Sequence, residues 1–246
     1  MNNRFVIVTP LYNVENWINL CINSVYKQNY KNYVHYLVDD ISTDKSVEKI
    51  EKIIKNKGNF HLIKNQVKKY ALQNIYDTLN DNNINDDDIV VILDGDDWLA
   101  NGEVLQRLNK EYEETDCLMT YGSYIEYPSL KRGKFSKQIP DNIIKQQTYR
   151  KNQWMSSHLR TFRYKLWKKI NKEDFINNKT GNFIKAAWDL AFVFPMLEMC
   201  GNRAHYINDI LYMYNRTNPL NEDKINHGLQ LSEEDLIRSR KVYKLL

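Results

Sequence analysis

Apolar positions fall along this chain in two alternating patterns. Phe5–Val8, Val34–Val38, Phe60–Ile63 and Ile89–Leu93 are short, nearly unbroken apolar runs bounded by polar segments. Runs of that length, rich in Val and Ile, predict strands buried on both faces. Between them the spacing changes to threes and ones. Val14, Trp17, Ile18, Cys21, Ile22 and Val25 share one helical face, which assigns Trp17 and Cys21 to the core. Val47, Ile50, Ile53 and Ile54 predict a second helix, Leu72, Ile75, Tyr76 and Leu79 a third, and Val104, Leu105, Leu108 and Tyr112 a fourth. Strand and helix alternating through the first hundred residues predict an α/β fold, with a doubly wound, mostly parallel sheet flanked by helices.

The polar breaks carry as much as the apolar runs. Thr9-Pro10-Leu11-Tyr12-Asn13 interrupts the first strand, because Pro10 has no backbone donor, and Asn13 is placed to cap the next helix. The second strand ends in Asp39-Asp40 and the polar turn Ile41-Ser42-Thr43-Asp44; the acidic, Asn-rich stretch 80–88 reads as a solvated loop. Beyond residue 100 the pattern predicts a strand at Cys117–Ile125, a helical stretch at Tyr164–Ile170 and a strand or hairpin at Tyr206–Tyr214. Residues 128–153, Lys-rich with two prolines, read as a mobile loop or lid. Ser232-Glu-Glu-Asp235 reads as a capping box opening a final helix made basic by Arg238, Arg240, Lys241 and Lys244.

Composition narrows the class. The chain has 246 residues, 42% hydrophobic and 27% charged, with a formal net charge of +4, which fits a globular protein and a small anionic substrate rather than nucleic acid. Cys21, Cys117 and Cys200 have no disulfide or metal spacing, which points to reduced thiols and a cytoplasmic setting. Phe5–Val8 is too short for a signal peptide or a membrane span; peripheral membrane contact stays open.

Two sites stand out chemically. Asp94-Gly95-Asp96-Asp97 follows the fourth strand, where open α/β sheets bind ligands. Three carboxylates so close repel one another, and their hard oxygens suit Mg²⁺ or Mn²⁺. Gly95 there permits close backbone approach or positive φ. The bland alternative is a polar turn. Asp189 sits in Lys185-Ala-Ala-Trp-Asp-Leu-Ala-Phe-Val-Phe194, where the only other charge is Lys185, so solubility does not explain it. Its bland role is to cap a helix over 190–200. No G-x-G-x-x-G or G-x-x-x-x-G-K-[ST] segment is present, which weakens dinucleotide and P-loop readings.

Val-Thr-Pro-Leu-Tyr-Asn13, Val-Asp-Asp-Ile-Ser-Thr-Asp44 and Leu-Asp-Gly-Asp-Asp97, in this order on strand ends, resemble family 2 glycosyltransferases of the GT-A fold over residues 4–221. The resemblance implies that Thr9, Pro10 and Tyr12 line the base and ribose, that Asp39 with Asp40 meets the base edge, and that Asn74 joins them, with Gln73 where the family often has Arg. It makes Asp94-Gly95-Asp96 the D-x-D motif, with Asp94 near the ribose and Asp96, together with Asp94, toward a metal. It makes Asp189 the general base, with Trp188 where the family has Glu. Arg216 in Tyr214-Asn-Arg-Thr-Asn218 would reach the diphosphate, but no His ligand is assigned. His158, Arg160 and Trp188 fall on the acceptor side. The Q-x-x-R-W signature of processive synthases is absent, which favours one sugar per event.

These implications give a Mn²⁺- or Mg²⁺-dependent, inverting transferase moving a sugar from a nucleotide sugar, UDP-linked by the resemblance, to a hydroxyl on a glycan or a protein side chain. Residues 1–125 form the nucleotide-sugar half of a single domain, 126–230 the acceptor and base half, and 231–246 a C-terminal helix. A nucleotidyltransferase, and a silent sugar- or protein-binding domain of a larger chain, stand as alternatives.

Overall fold

A computed structural model of the chain describes residues 3–246. The elements alternate as the pattern predicts: β1 (Phe5–Leu11), α1 (Ile18–Tyr26), β2 (Tyr33–Asp39), α2 (Ser46–Ile54), β3 (Phe60–Lys64), α3 (Tyr70–Asp81), β4 (Ile89–Ile92), β5 (Trp98–Leu99) and α4 (Val104–Glu114). Then follow β6 (Met119–Tyr127), β7 (Lys131–Arg132), α5 (Asp141–Gln146), β8 (Thr161–Arg163), α6 (Tyr164–Trp167), α7 (Leu190–Cys200), β9 (Ala204–Asn215), α8 (Glu222–Ile225) and α9 (His227–Arg238).

One mixed sheet runs β3-β2-β1-β4-β8-β6-β9-β5, with β7 on β6. The first four strands are parallel. Successive residues of each strand point to opposite faces. Val6, Val8, Val90 and Ile92 therefore pack with α3 and α7 on one side, while Phe5, Ile7, Ile89 and Val91 pack with α1, α2 and α4 on the other. Both faces of β1, β2 and β4 are covered, which is why they read as nearly unbroken apolar runs, whereas in β3, at the sheet edge, only Phe60 is buried. From β1 the chain winds first toward β2 and then returns to β4, so the carboxyl ends of β1 and β4 diverge at a topological switch point, where such sheets open a crevice.

Several local expectations change. Pro10 does not end β1: it pairs in register with Val38 of β2, and β4 accompanies β1 only as far as Val8, so no β4 neighbour lies beside it. Asn13 does not cap α1; its φ is 52° and its Oδ1 accepts from the Thr43 amide, while α1 begins at Ile18. Cys21 is fully buried, whereas Trp17 packs at the edge of the core. The 80–88 stretch is anchored: buried Asp88 accepts from Arg4 and the Asn85 amide.

Residues 128–153 are not a bare loop. They hold β7, α5 and a tight turn at Tyr149–Lys151, with Ile139, Ile143 and Tyr149 buried. Ser232 lies inside α9, which starts at His227, so there is no capping box, and Arg240, Lys241 and Lys244 lie beyond the helix. The expected boundary between residues 230 and 231 falls within α9, whose Ile237 is part of the core.

Candidate active site

At the carboxyl ends of β1 and β4 a cleft of about 560 Å³ opens. Its floor is the contact between the two strand ends. A Cβ at Gly95 would lie 2.6 Å from Leu11 Cβ, so the glycine is there for close packing; its φ is not in the left-handed region.

The antiparallel strand β8 brings in the next group. Val91 pairs with Thr161, so the residues just before β8 reach the end of β4. This register places Arg160 and His158 beside Asp94, and all three line the cleft with Asp96, Asp97, Trp188 and Asp189. A three-residue strand is too short for periodicity to register.

The carboxylates differ in their surroundings. Asp97 is buried; Tyr212 Oη donates to its Oδ2 (2.6 Å) and the Asn215 amide to its Oδ1 (2.7 Å). Asp96 Oδ2 accepts from Asn218 Nδ2 (2.7 Å). Burial pushes Asp94 up to about 7, with Asp96 and Asp189 adding to the shift and Arg160 opposing it. Burial also raises Asp96, and burial with the charges of Asp96 and Asp94 drives Asp97 well above the usual range. A cluster with that much uncompensated negative charge, made of hard oxygens, fits a divalent cation.

Asp94, Asp97 and His158 present ligand atoms within 4.8 Å of one another. The histidine is nevertheless not poised as a ligand. An Arg160 Nη lies 3.2 Å from His158 Nδ1. A guanidinium can only donate, so Nδ1 accepts. The ring is kept neutral by burial and by the Arg160 charge, so its proton sits on Nε2. The ring is also held in place, stacked on Tyr212 (4.4 Å) and Tyr214 (5.3 Å).

Asp189 stands at the start of α7 with helical backbone angles, and its side chain caps nothing. Its carboxylate is instead ion-paired with buried Arg160. The bland alternative, a helix cap, therefore gives way to a charge pair facing the cleft. Trp188 packs on Phe192, with the Arg160 guanidinium 6.0 Å from its ring.

Pro10, Tyr12, Asp40 and Asn74 also line the cleft. Thr9 and Asp39 do not reach it. Thr9 is buried with Oγ1 2.8 Å from His35 Nε2, and Asp39 turns back to accept from the Ser42 amide. Asp40 lines the cleft and accepts from Asn65 and from the Lys69 and Tyr70 amides; burial raises its pKa, but those donors outweigh it and leave it lowered. Asn74 accepts from Asn65 through Oδ1, and its side chain joins the donors that lower Asp40. Arg216 is not in the cleft wall; its guanidinium lies 5.6 Å from the Tyr214 ring.

Lys68, Tyr70, Lys185, Tyr212 and Asn218 complete the site and escaped the sequence reading. Only Lys185 left a signal, as the lone cation in the apolar run that holds Asp189.

The profile described as "Glycosyl transferase family 2" matches residues 6–190. An "Uncharacterized glycosyltransferase" of Haemophilus influenzae is 34% identical over 123 residues, 48% of this chain and 46% of that protein. Glycosyltransferase GlyA of Streptococcus pneumoniae is 23% identical over 223 residues, 87% of this chain but 31% of GlyA. The chain thus spans less than half the length of these relatives. Among solved structures, S. aureus TarS in complex with UDP-GlcNAc superposes with a TM-score of 0.66 at 20% identity, covering 87% of this chain and 59% of TarS. Mannosyltransferase PcManGT of Pyrobaculum calidifontis, in complex with GDP-Man and Mn²⁺, gives 0.60 at 16%, covering 98% and 66%. These likenesses establish the GT-A fold. With a profile match that takes in the strand-end motifs, the carboxylate cluster and Asp189, the chain belongs to glycosyl transferase family 2.

Proposed function

We propose that this chain transfers one sugar from a nucleotide diphosphate sugar to an acceptor hydroxyl, with a divalent cation and with inversion at the anomeric carbon. The observation that carries the reading is one cleft with a carboxylate cluster of raised pKa on its floor and the Arg160–Asp189 pair beside it. The nucleotide-sugar complexes of TarS and PcManGT support the donor class, and the Mn²⁺ in the latter supports the metal. A UDP-sugar is the first donor to try.

Pro10, Tyr12, Asp40 and Asn74 hold the nucleoside, with Asp40 toward the base edge. Asp94, with Asp96 or Asp97, holds the cation, which when bound supplies Lewis-acid stabilisation to the leaving diphosphate. Arg160 fixes Asp189, which takes the acceptor proton as the new C–O bond forms. One base opposite the leaving group gives in-line displacement and inversion. The three cysteines are free and buried, and a reducing, cytoplasmic setting goes with them. No helix among the described residues is long and apolar enough to cross a membrane. The acceptor, a glycan or a hydroxylated protein side chain, and any further domains belong to the same proposal.

The test is release of nucleoside diphosphate from a panel of UDP- and GDP-sugars, with Mn²⁺ and with EDTA. Release from at least one donor, lost in EDTA, is expected. Asp189→Asn should keep donor affinity within a few-fold while transfer falls about 10²- to 10⁴-fold. Metal-independent release, or an Asp189→Asn enzyme at wild-type speed, would overturn the assignment.

A further inference from the structure

The geometry points to Lys185 as the side chain that receives the leaving diphosphate; the inference rests on the transferase reading above. In that reaction the bond between the anomeric carbon and the diphosphate oxygen breaks as the acceptor oxygen bonds to the carbon. The acceptor proton goes to the base, and the bonding electron pair stays on the diphosphate, which gains one negative charge. A cation placed where that charge appears lowers the barrier.

Three cationic side chains line the cleft. Lys68 lies 3.4 Å from Asp40, and Arg160 is paired with Asp189. Lys185 has no carboxylate partner among the described residues; its Nζ lies 4.3 Å from the centre of the Tyr70 ring. It is the cation left over for an anion.

Its backbone is fixed. Glu233 Oε2 accepts from the amides of Lys185 (2.9 Å) and Ala186 (2.7 Å), while Oε1 accepts from Asn177 Nδ2 (3.0 Å). Glu233 is buried, and this clamp comes from α9. Ala187 follows with φ 48°, a left-handed conformation that an alanine adopts only when its surroundings impose it. The clamp thus sets where the Lys185 side chain leaves the loop, four residues before Asp189.

The experiment is calorimetry in Mn²⁺ with uridine, UMP and UDP, and with guanosine and GDP, on the wild-type chain, Lys185→Met and Lys185→Arg. Lys185→Met should bind the favoured diphosphate about ten- to a hundred-fold more weakly while nucleoside affinity is unchanged, and Lys185→Arg should recover most of the loss. Equal diphosphate affinity in Lys185→Met overturns the assignment and leaves the transferase reading standing. Equal losses for nucleoside and diphosphate also overturn it, since that is a collapsed loop. A wild-type chain that binds neither diphosphate removes the transferase reading and this inference together.

Discussion

At the scale of single residues the site is organised by unbalanced charge. Burial and its neighbours hold Asp94 near 7, so around neutral pH it is only partly ionised without a cation. A carboxylate ligand must be deprotonated, so cation binding expels that proton and strengthens as pH rises. The same shift fixes the sign of the stability effect. Between the unfolded carboxylate pKa, about 4, and about 7 the folded chain keeps a proton that the unfolded chain has lost, so stability falls as pH rises through that window. Melting in EDTA should therefore drop between about pH 5 and about pH 8, and Mn²⁺ should raise the melting temperature more at the higher pH. Asp96 and Asp97, raised by the same burial, add drops of the same sign, so Asp94→Asn should make the drop smaller without abolishing it and remove most of the Mn²⁺ gain. An equal Mn²⁺ effect at both pH values would show that Asp94 is not the titrating ligand.

Among the elements, α9 acts at a distance from the chemistry. Glu233 accepts from two amides of the loop that precedes Asp189. Glu233→Ala leaves buried donors unsatisfied and should cost about 1–3 kcal/mol. A purely structural role would stop there. A positioning role predicts in addition that the affinity gap between nucleoside and nucleoside diphosphate narrows, since Lys185 loses its fixed origin. Denaturant titration reads the first effect and calorimetry the second; an unchanged gap would limit Glu233 to stability.

Across the whole molecule the segments after residue 140 are tied together by one buried ion pair. Arg150 Nε lies 2.6 Å from Glu198 Oε1 and its Nη2 2.9 Å from Oε2, with Nη1 donating to the Ile237 carbonyl and the Tyr243 amide donating to Glu198. The turn after α5, the last turn of α7, the end of α9 and the stretch beyond it meet there. Removing one partner strands a charge in the core, so Glu198→Gln should destabilise by about 3–5 kcal/mol. Donor affinity of the folded fraction should be unchanged, because neither residue lines the cleft. A milder loss, or a loss of affinity without a loss of stability, would contradict this account.

The sequence alone determined the parallel half of the fold and the ends of its strands. Val6, Val90 and their neighbours are apolar on both faces because helices cover both, and Asp94, Asp96 and Asp97 follow at once because strand ends open to a ligand crevice. Both signals are local, within five or ten residues. What only the tertiary structure decided depends on contacts far apart in the chain. Asp40 rather than Asp39 faces the cleft because the Lys69 and Tyr70 amides, about thirty residues on, hold its carboxylate there. Arg160 meets Asp189 only through the register of a three-residue strand beside β4. The Lys185 backbone is held by Glu233 of α9, 48 residues on. Periodicity reports which face of an element is buried; it carries no information about which distant donor or charge a given side chain will find.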